Sequence, residues 1–252
     1  MTDFDHQWKK VLSENSSLKN FDQYKCNEEQ VKKFLTLIGM KSIFKKTSYF
    51  KGKKCLDVGC GPGRWTCAMQ LLGAKSVDSF DLSTEAIEIC RKINSKAYVF
   101  NLMNLVSNFD YDFVLSWGVL HHTSNPRKAF AKVASQVKKG GRLHVMLYDS
   151  KNDWFYDGFR GKDTESARKL WNSLSYDEKI KLCKEKSKEK GGNLHGWWDA
   201  LNPEYNYSFS KDEVKQMFLD EGFTKIKTGD MKNNINMNGI KNSKFNSYKI
   251  IS

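Results

Sequence analysis

Lys54-Cys55-Leu56-Asp57-Val58-Gly59-Cys60-Gly61-Pro62-Gly63-Arg64-Trp65 is the stretch on which the fold of this chain turns. An apolar run suited to a buried strand breaks into three glycines spaced two apart, and a helical pattern then resumes. Strand, glycine loop and helix in that order receive a nucleotide-type ligand at the carboxyl edge of an open α/β sheet.

The dinucleotide fingerprint places its third glycine three residues after the second, a position held here by Arg64, whereas Gly63 comes one residue early. Asp57, two residues before Gly59, belongs to no pyrophosphate pattern. A tight loop with a carboxylate at its root suits a ligand that carries both an amine and an anionic end. The glycines admit close backbone approach, the N–H groups of a helix starting at Arg64 face a carboxylate, and Asp57 attracts an ammonium directly or through water. Asp81, twenty residues after Gly61 at the end of the next predicted strand, is placed to accept from both hydroxyls of a ribose. An amino-acid end joined to a nucleoside describes S-adenosyl-L-methionine.

Outward from the loop, the pattern predicts a strand over 54–58 and a helix over 64–72 stopped by Gly73. A strand over 75–81 leads into a helix with Ser83 as N-cap. Strands over 97–102 and 111–117 follow. Pro126 opens a helix whose buried face is Ala129, Phe130, Val133 and Val137, with Gly140-Gly141 as its stop, and a fifth strand covers 142–148. This alternation predicts a parallel α/β sheet with helices on both faces. Residues 1–50 read as a helical extension, with Val31, Phe34, Leu35 and Ile38 on one face and Phe4, Trp8, Val11 and Leu12 on another, able to pack or to act as a lid. Residues 51–252 form the main domain. Within it 149–208 is a charged, helical, aromatic-rich insertion after strand five. Alternation resumes with a helix over 211–221 and a strand over 224–228. An Asn-rich loop over 231–244 precedes a last strand near 247–251.

Asp57-Val58-Gly59-Cys60-Gly61-Pro62-Gly63, Asp81-Leu82-Ser83 and Ser116-Trp117-Gly118-Val119-Leu120-His121-His122 together resemble the class I S-adenosylmethionine-dependent methyltransferases that modify small molecules. The resemblance implies a Rossmann-like, mostly parallel sheet of seven strands, the last antiparallel, and methyl transfer at the carboxyl edge. It implies that Asp57, Gly59, Cys60, Gly61 and Gly63 hold the methionine part of the cofactor, that Asp81 holds the ribose, and that Leu82 and Leu102 sandwich the adenine. Where the family usually has Asp at the end of the third strand, this chain has Asn101, whose side-chain oxygen still accepts from the adenine amino group. Trp117 either touches the cofactor or packs beneath it.

Methyl transfer is an in-line displacement at a sulfonium carbon, so the protein chiefly aligns the partners, and a base is needed only when the acceptor must lose a proton. His121 and His122 follow the fourth strand at that edge, with His122 the candidate base; a histidine packed at a strand end is the competing reading. Tyr148 and the insertion, above all Trp197, Trp198 and Tyr205 taken as flanking a loop, are candidates for the acceptor wall, against a small accessory core in which the rings are buried. Aromatic walls suit an apolar, aromatic or cationic small-molecule acceptor.

The bulk composition narrows the alternatives. With 252 residues, 39% hydrophobic, the chain can bury a large core. No apolar stretch is long enough to span a bilayer and the first twenty residues are polar and charged, so a soluble cytoplasmic protein is expected. Six cysteines without a Cys-x-x-Cys pair or a His at metal spacing read as free buried thiols, with no metal. The net charge of +13 raises an RNA or protein methyltransferase as the alternative, but the lysines are scattered, and nucleic acid is the less favoured partner. A non-catalytic cofactor-binding subunit is a third reading.

Overall fold

A computed structural model of the chain describes residues 28–38, 49–106, 110–151, 170–191, 194–229, 231 and 234–242. Its centre is a seven-stranded sheet of order β3-β2-β1-β4-β5-β7-β6. The strands are β1 (Lys54–Val58), β2 (Ser76–Asp81), β3 (Ala97–Val99), β4 (Tyr111–Trp117), β5 (Val137–Tyr148), β6 (Phe223–Thr228) and β7 (Asn234–Lys241). The first five pair in parallel, and β7 runs antiparallel between β5 and β6. Chain order reverses between β1 and β4, which opens a crevice beyond their carboxyl ends.

Helices cover both faces: α1 (Glu28–Leu37), α2 (Arg64–Leu71), α3 (Thr84–Cys90), α4 (Pro126–Ala134), α5 (Tyr176–Lys190), α6 (Leu194–Leu201) and α7 (Lys211–Asp220). Sheet residues alternate between two cores. Leu56, Val58, Val114, Val145 and Leu147 meet Phe130 of α4 and Phe218 of α7. Cys55, Phe113 and Leu115 meet Phe34 of α1 and Trp65 of α2 on the opposite face. Phe34 and Ile38 are each 1% exposed, so α1 is part of the core on that face. The Phe4-to-Leu12 stripe lies outside the described residues.

Helix boundaries follow the capping residues. Ser83 accepts from the Ala86 N–H as the N-cap of α3, Asn125 accepts from Lys128 ahead of Pro126 in α4, and Ser210 forms a capping box with Glu213 in α7.

Two predicted boundaries are corrected. Gly140-Gly141 do not stop α4, which ends at Ala134; they lie inside β5. Val137 already pairs with Tyr111, and the register slips before Arg142 pairs with Phe113, so the glycines form a bulge. A side chain at Gly141 would stand 2.8 Å from the Tyr111 carbonyl oxygen.

The Asn-rich stretch predicted as a loop contains β7, and residues 247–251 lie outside the described residues. Ile235 and Met237 enter the core. Between them Asn236 is 2% exposed and satisfied on both sides: its amide nitrogen donates to the Leu37 carbonyl and its oxygen bonds His144 Nε2. Next along, Asn238 accepts from Arg142. Burial pushes His144 down to about 3, so its ring is neutral. Asn236 and Asn238 are tolerated in this strand because their buried amides find polar partners.

The expectation of free thiols holds for Cys55, Cys60, Cys90 and Cys183. Cys67, on the buried face of α2, is instead disulfide-bonded. Among the described residues no helix is long and apolar enough to cross a membrane.

Candidate active site

The glycine loop joins β1 to α2 and turns through three left-handed positions, Gly59, Gly61 and Gly63, at φ of 70°, 52° and 91°. The N–H groups of Gly59 and Cys60 both donate to the Phe80 carbonyl, at 2.8 and 3.0 Å. At Gly59 a Cβ would lie 2.2 Å from Val119 of the loop after β4; at Gly63 it would lie 2.7 Å from Cys90 Sγ of α3. Gly63 therefore serves helix packing as well as the turn. Cys60 turns inward, its Sγ 4.0 Å from Cys90 Sγ in a buried cluster with Ile87 and Ala97.

Asp81 ends β2 and ties the loop down. Its two oxygens accept from the Gly61 N–H at 2.8 Å and the Ser83 N–H at 2.9 Å. Asp57 lies beneath the loop at 1% exposure. Its Oδ2 accepts from the Thr66 hydroxyl at 2.7 Å, and its Oδ1 is buried with no hydrogen-bond partner among the described residues. Burial pushes the carboxyl up to about 7, opposed by the Thr66 side-chain and backbone donors. A carboxylate with one oxygen committed and the other open beside a glycine turn fits the ammonium of an amino-acid-bearing cofactor.

Leu82 is 39% exposed and Leu102 is 6% exposed, on the loops after β2 and β3. The Asn101 oxygen accepts from the Met103 N–H at 2.8 Å and caps a short 3₁₀ turn, so the acceptor expected to face adenine also has a local structural task. Trp117 stacks on His144 with centroids 6.0 Å apart and meets Trp65 edge-on at 5.9 Å, which places it in the packing beneath the crevice.

At the carboxyl ends of β4 and β5, His121 is buried and stacks on Tyr148 at 3.8 Å, and His122 meets the same ring edge-on at 5.4 Å. A strap over 205–209 crosses both strand ends. The Tyr207 N–H donates to the His121 carbonyl at 2.9 Å, and the Phe209 N–H donates to Tyr148 at 2.9 Å. His122 Nδ1 lies 3.0 Å from the Tyr205 carbonyl oxygen. A carbonyl only accepts, so neutral His122 carries its proton on Nδ1 and its lone pair on Nε2.

The placement of the two insertion tryptophans is corrected. Trp197 and Trp198 do not flank a loop; both lie on α6, at 4% and 5% exposure. They pack with Trp171, Cys183, Leu201 and Tyr148 in an accessory core, where the Trp197 indole N–H donates to Gly191 at 2.9 Å. Tyr148 links this core to the histidines. Sequence reasoning missed Thr66, Ser79 and Asn94, a buried polar chain beneath the glycine loop. The signal was a hydroxyl or amide on faces where the apolar pattern calls for hydrocarbon.

A parallel sheet with one antiparallel strand, a glycine loop after β1 and an acid after β2 define the class I S-adenosylmethionine-dependent methyltransferase fold. The methyltransferase-domain family matches residues 29–228, and the chain belongs to that family. It is 35% identical over 113 residues to the mitochondrial ubiquinone biosynthesis O-methyltransferase of Schizosaccharomyces pombe, covering 41% of each chain. It is 27% identical over 121 residues to the tRNA U34 carboxymethyltransferase of Campylobacter hominis, covering 44% of this chain and 42% of that one. The chain thus spans less than half the length of these curated relatives. Magnesium protoporphyrin IX methyltransferase from Synechocystis PCC 6803, solved with bound S-adenosylhomocysteine, shares the fold at TM-score 0.54 and 13% identity, over 94% of this chain and 93% of that one.

Proposed function

We propose that this chain binds S-adenosyl-L-methionine along the glycine loop and transfers its methyl group to a small-molecule acceptor at the carboxyl edge of β4 and β5. The observation that carries the reading is the buried Asp57 carboxylate, with Oδ2 held by Thr66 and Oδ1 open beside the left-handed glycines. When bound, the cofactor supplies an electrophilic methyl on sulfur. Asp57 and the glycine backbone orient its amino-acid end, Asp81 receives the ribose, Leu82 and Leu102 enclose the adenine, and Asn101 meets its amino group. His122 accepts a proton at Nε2 from a hydroxyl or amine acceptor, while Tyr148 and the strap at Tyr205 shape the acceptor side. The accessory core with Trp197 and Trp198 holds Tyr148 in place. Residues 149–208 act as the acceptor cap.

Calorimetric titration with S-adenosylmethionine tests this. Wild-type protein should bind, and Asp81→Ala, which removes both a ribose acceptor and the tether of Gly61, should bind at least about tenfold more weakly. No heat with wild type at any pH between 6 and 9 overturns the reading.

A second reading, an RNA acceptor, is favoured by the net charge of +13 and the likeness to a tRNA-modifying relative. Tight, sequence-selective binding of tRNA at physiological salt would establish it over the small-molecule acceptor.

A further inference from the structure

Asp57 sits at the end of a chain of buried hydrogen bonds whose direction can be read from proton counting. The Thr66 hydroxyl donates to Asp57 Oδ2 at 2.7 Å. A hydroxyl has one proton to give, so in its 2.8 Å contact with Ser79 Oγ the serine is the donor. Ser79 in turn accepts from Asn94 Nδ2 at 3.1 Å. The orientation of the Asn94 amide is fixed on both sides, because its nitrogen donates to the Val77 carbonyl at 2.9 Å and its oxygen accepts from the Lys96 N–H at 3.3 Å. Thr66 and Ser79 are fully buried and Asn94 is 6% exposed. One amide proton of Asn94 is held by Val77; the other, with the hydroxyl protons of Ser79 and Thr66, points along the chain toward the same carboxylate oxygen. These residues come from three elements: the turn after α3, strand β2 and helix α2.

From this geometry we infer that Asn94, Ser79 and Thr66 form a one-way donor relay that keeps Asp57 ionised, occupies its Oδ2, and reserves Oδ1 for the ammonium of the cofactor. Thr66 is the terminal positioning residue of that relay. The inference rests on the donor-binding reading above. A solely structural polar chain would need each group satisfied but would not need Oδ1 left open at its end.

The titrating and charged neighbours of Asp57 are Asp81, which raises its pKa, and Arg64, which lowers it; the buried Cys60 thiol also lies within its field. Burial dominates and drives the carboxyl up to about 7, with Thr66 as the leading opposing influence. Binding of an ammonium requires the carboxylate, so cofactor affinity should fall as pH drops through that range. Loss of the Thr66 hydroxyl should move the fall to higher pH.

The test compares wild type, Thr66→Val and Thr66→Ser, each confirmed folded by circular dichroism, with two probes. S-adenosylhomocysteine carries the ammonium; 5′-methylthioadenosine keeps the nucleoside and lacks the amino-acid end. The relay predicts that Thr66→Val weakens S-adenosylhomocysteine by about tenfold or more at pH 7.5, shifts the pH midpoint of its binding upward, and leaves methylthioadenosine unchanged. Thr66→Ser should restore both affinity and midpoint. Equal weakening of both probes by Thr66→Val, an unmoved midpoint, or failure of the serine to restore binding overturns the relay. Carbon-13 NMR of the Asp57 carboxyl in ligand-free protein separates this from the donor reading. If wild type binds neither probe the donor reading fails, while a carboxyl titration that rises in Thr66→Val still supports the relay and one that stays put overturns it.

Discussion

The two sides of the crevice are built by different physics. On the donor side, around β1 and β2, buried side chains are polar and linked: Asn94, Ser79, Thr66 and Asp57 bond in series, and Asp81 grips two backbone N–H groups. On the acceptor side, around the ends of β4 and β5, rings bury rings. His121 and Tyr148 stack, Tyr148 joins the core of Trp171, Trp197 and Trp198, and the polar ties of the strap run through backbone carbonyls. Directional hydrogen bonds in a dry setting fix single atoms, which suits a ligand of defined chemistry. Ring packing fixes a wall and can change with the residues that form it, which suits an acceptor that differs between relatives.

Breaking each side separately should therefore give different losses. The largest is expected from His122→Gln, which removes the proposed base and keeps a polar side chain. Turnover, followed as labelled methyl passing into a metabolite extract, should fall by about 10²–10⁴-fold with cofactor affinity unchanged; unaltered turnover would remove His122 as base. Next comes Trp171→Ala, where loss of a fully buried indole should cost about 3–5 kcal/mol in denaturant unfolding. Calorimetry on the folded variant should find S-adenosylmethionine affinity intact. A parallel loss of affinity would show that the two sides are coupled, against the contrast drawn here.

The donor side was legible in the sequence because its signals are local. Gly59, Gly61 and Gly63 need positive φ, Ser83 caps the helix that begins beside it, and Asp81 closes the strand before. What escaped notice depends on distant partners. The asparagines of β7 alternate with Ile235 and Met237 at strand period, yet asparagine disfavours strands, and Asn236 is satisfied by His144 and Leu37, far away in the chain. Gly140-Gly141 carry a helix-stop signature that the pairing of Val137 with Tyr111 overrides. Trp197 and Trp198 could not be told from cap residues, since an apolar ring has the same pattern whether it faces a substrate or another ring. Thr66 gives no local signal of its role, because a threonine in a helix bears on propensity, whereas its acceptor is a carboxylate nine residues back.

The most direct test is the pH dependence of thermal unfolding of wild type and Asp57→Asn between pH 5 and 8, with and without S-adenosylmethionine. Because the folded carboxyl lies near 7, above its ordinary value of 3.8, the unfolded chain releases this proton first as pH rises. Ligand-free wild type should thus lose stability relative to Asp57→Asn between about pH 4 and pH 7, by ~4 kcal/mol at most, and no further above it. Cofactor should raise the wild-type unfolding temperature at pH 8, by an increment that shrinks below pH 7, and should raise that of Asp57→Asn by less and without this pH dependence. An equal cofactor-induced rise in Asp57→Asn at every pH would contradict the assignment of Asp57 as the buried carboxylate that receives the donor's amine.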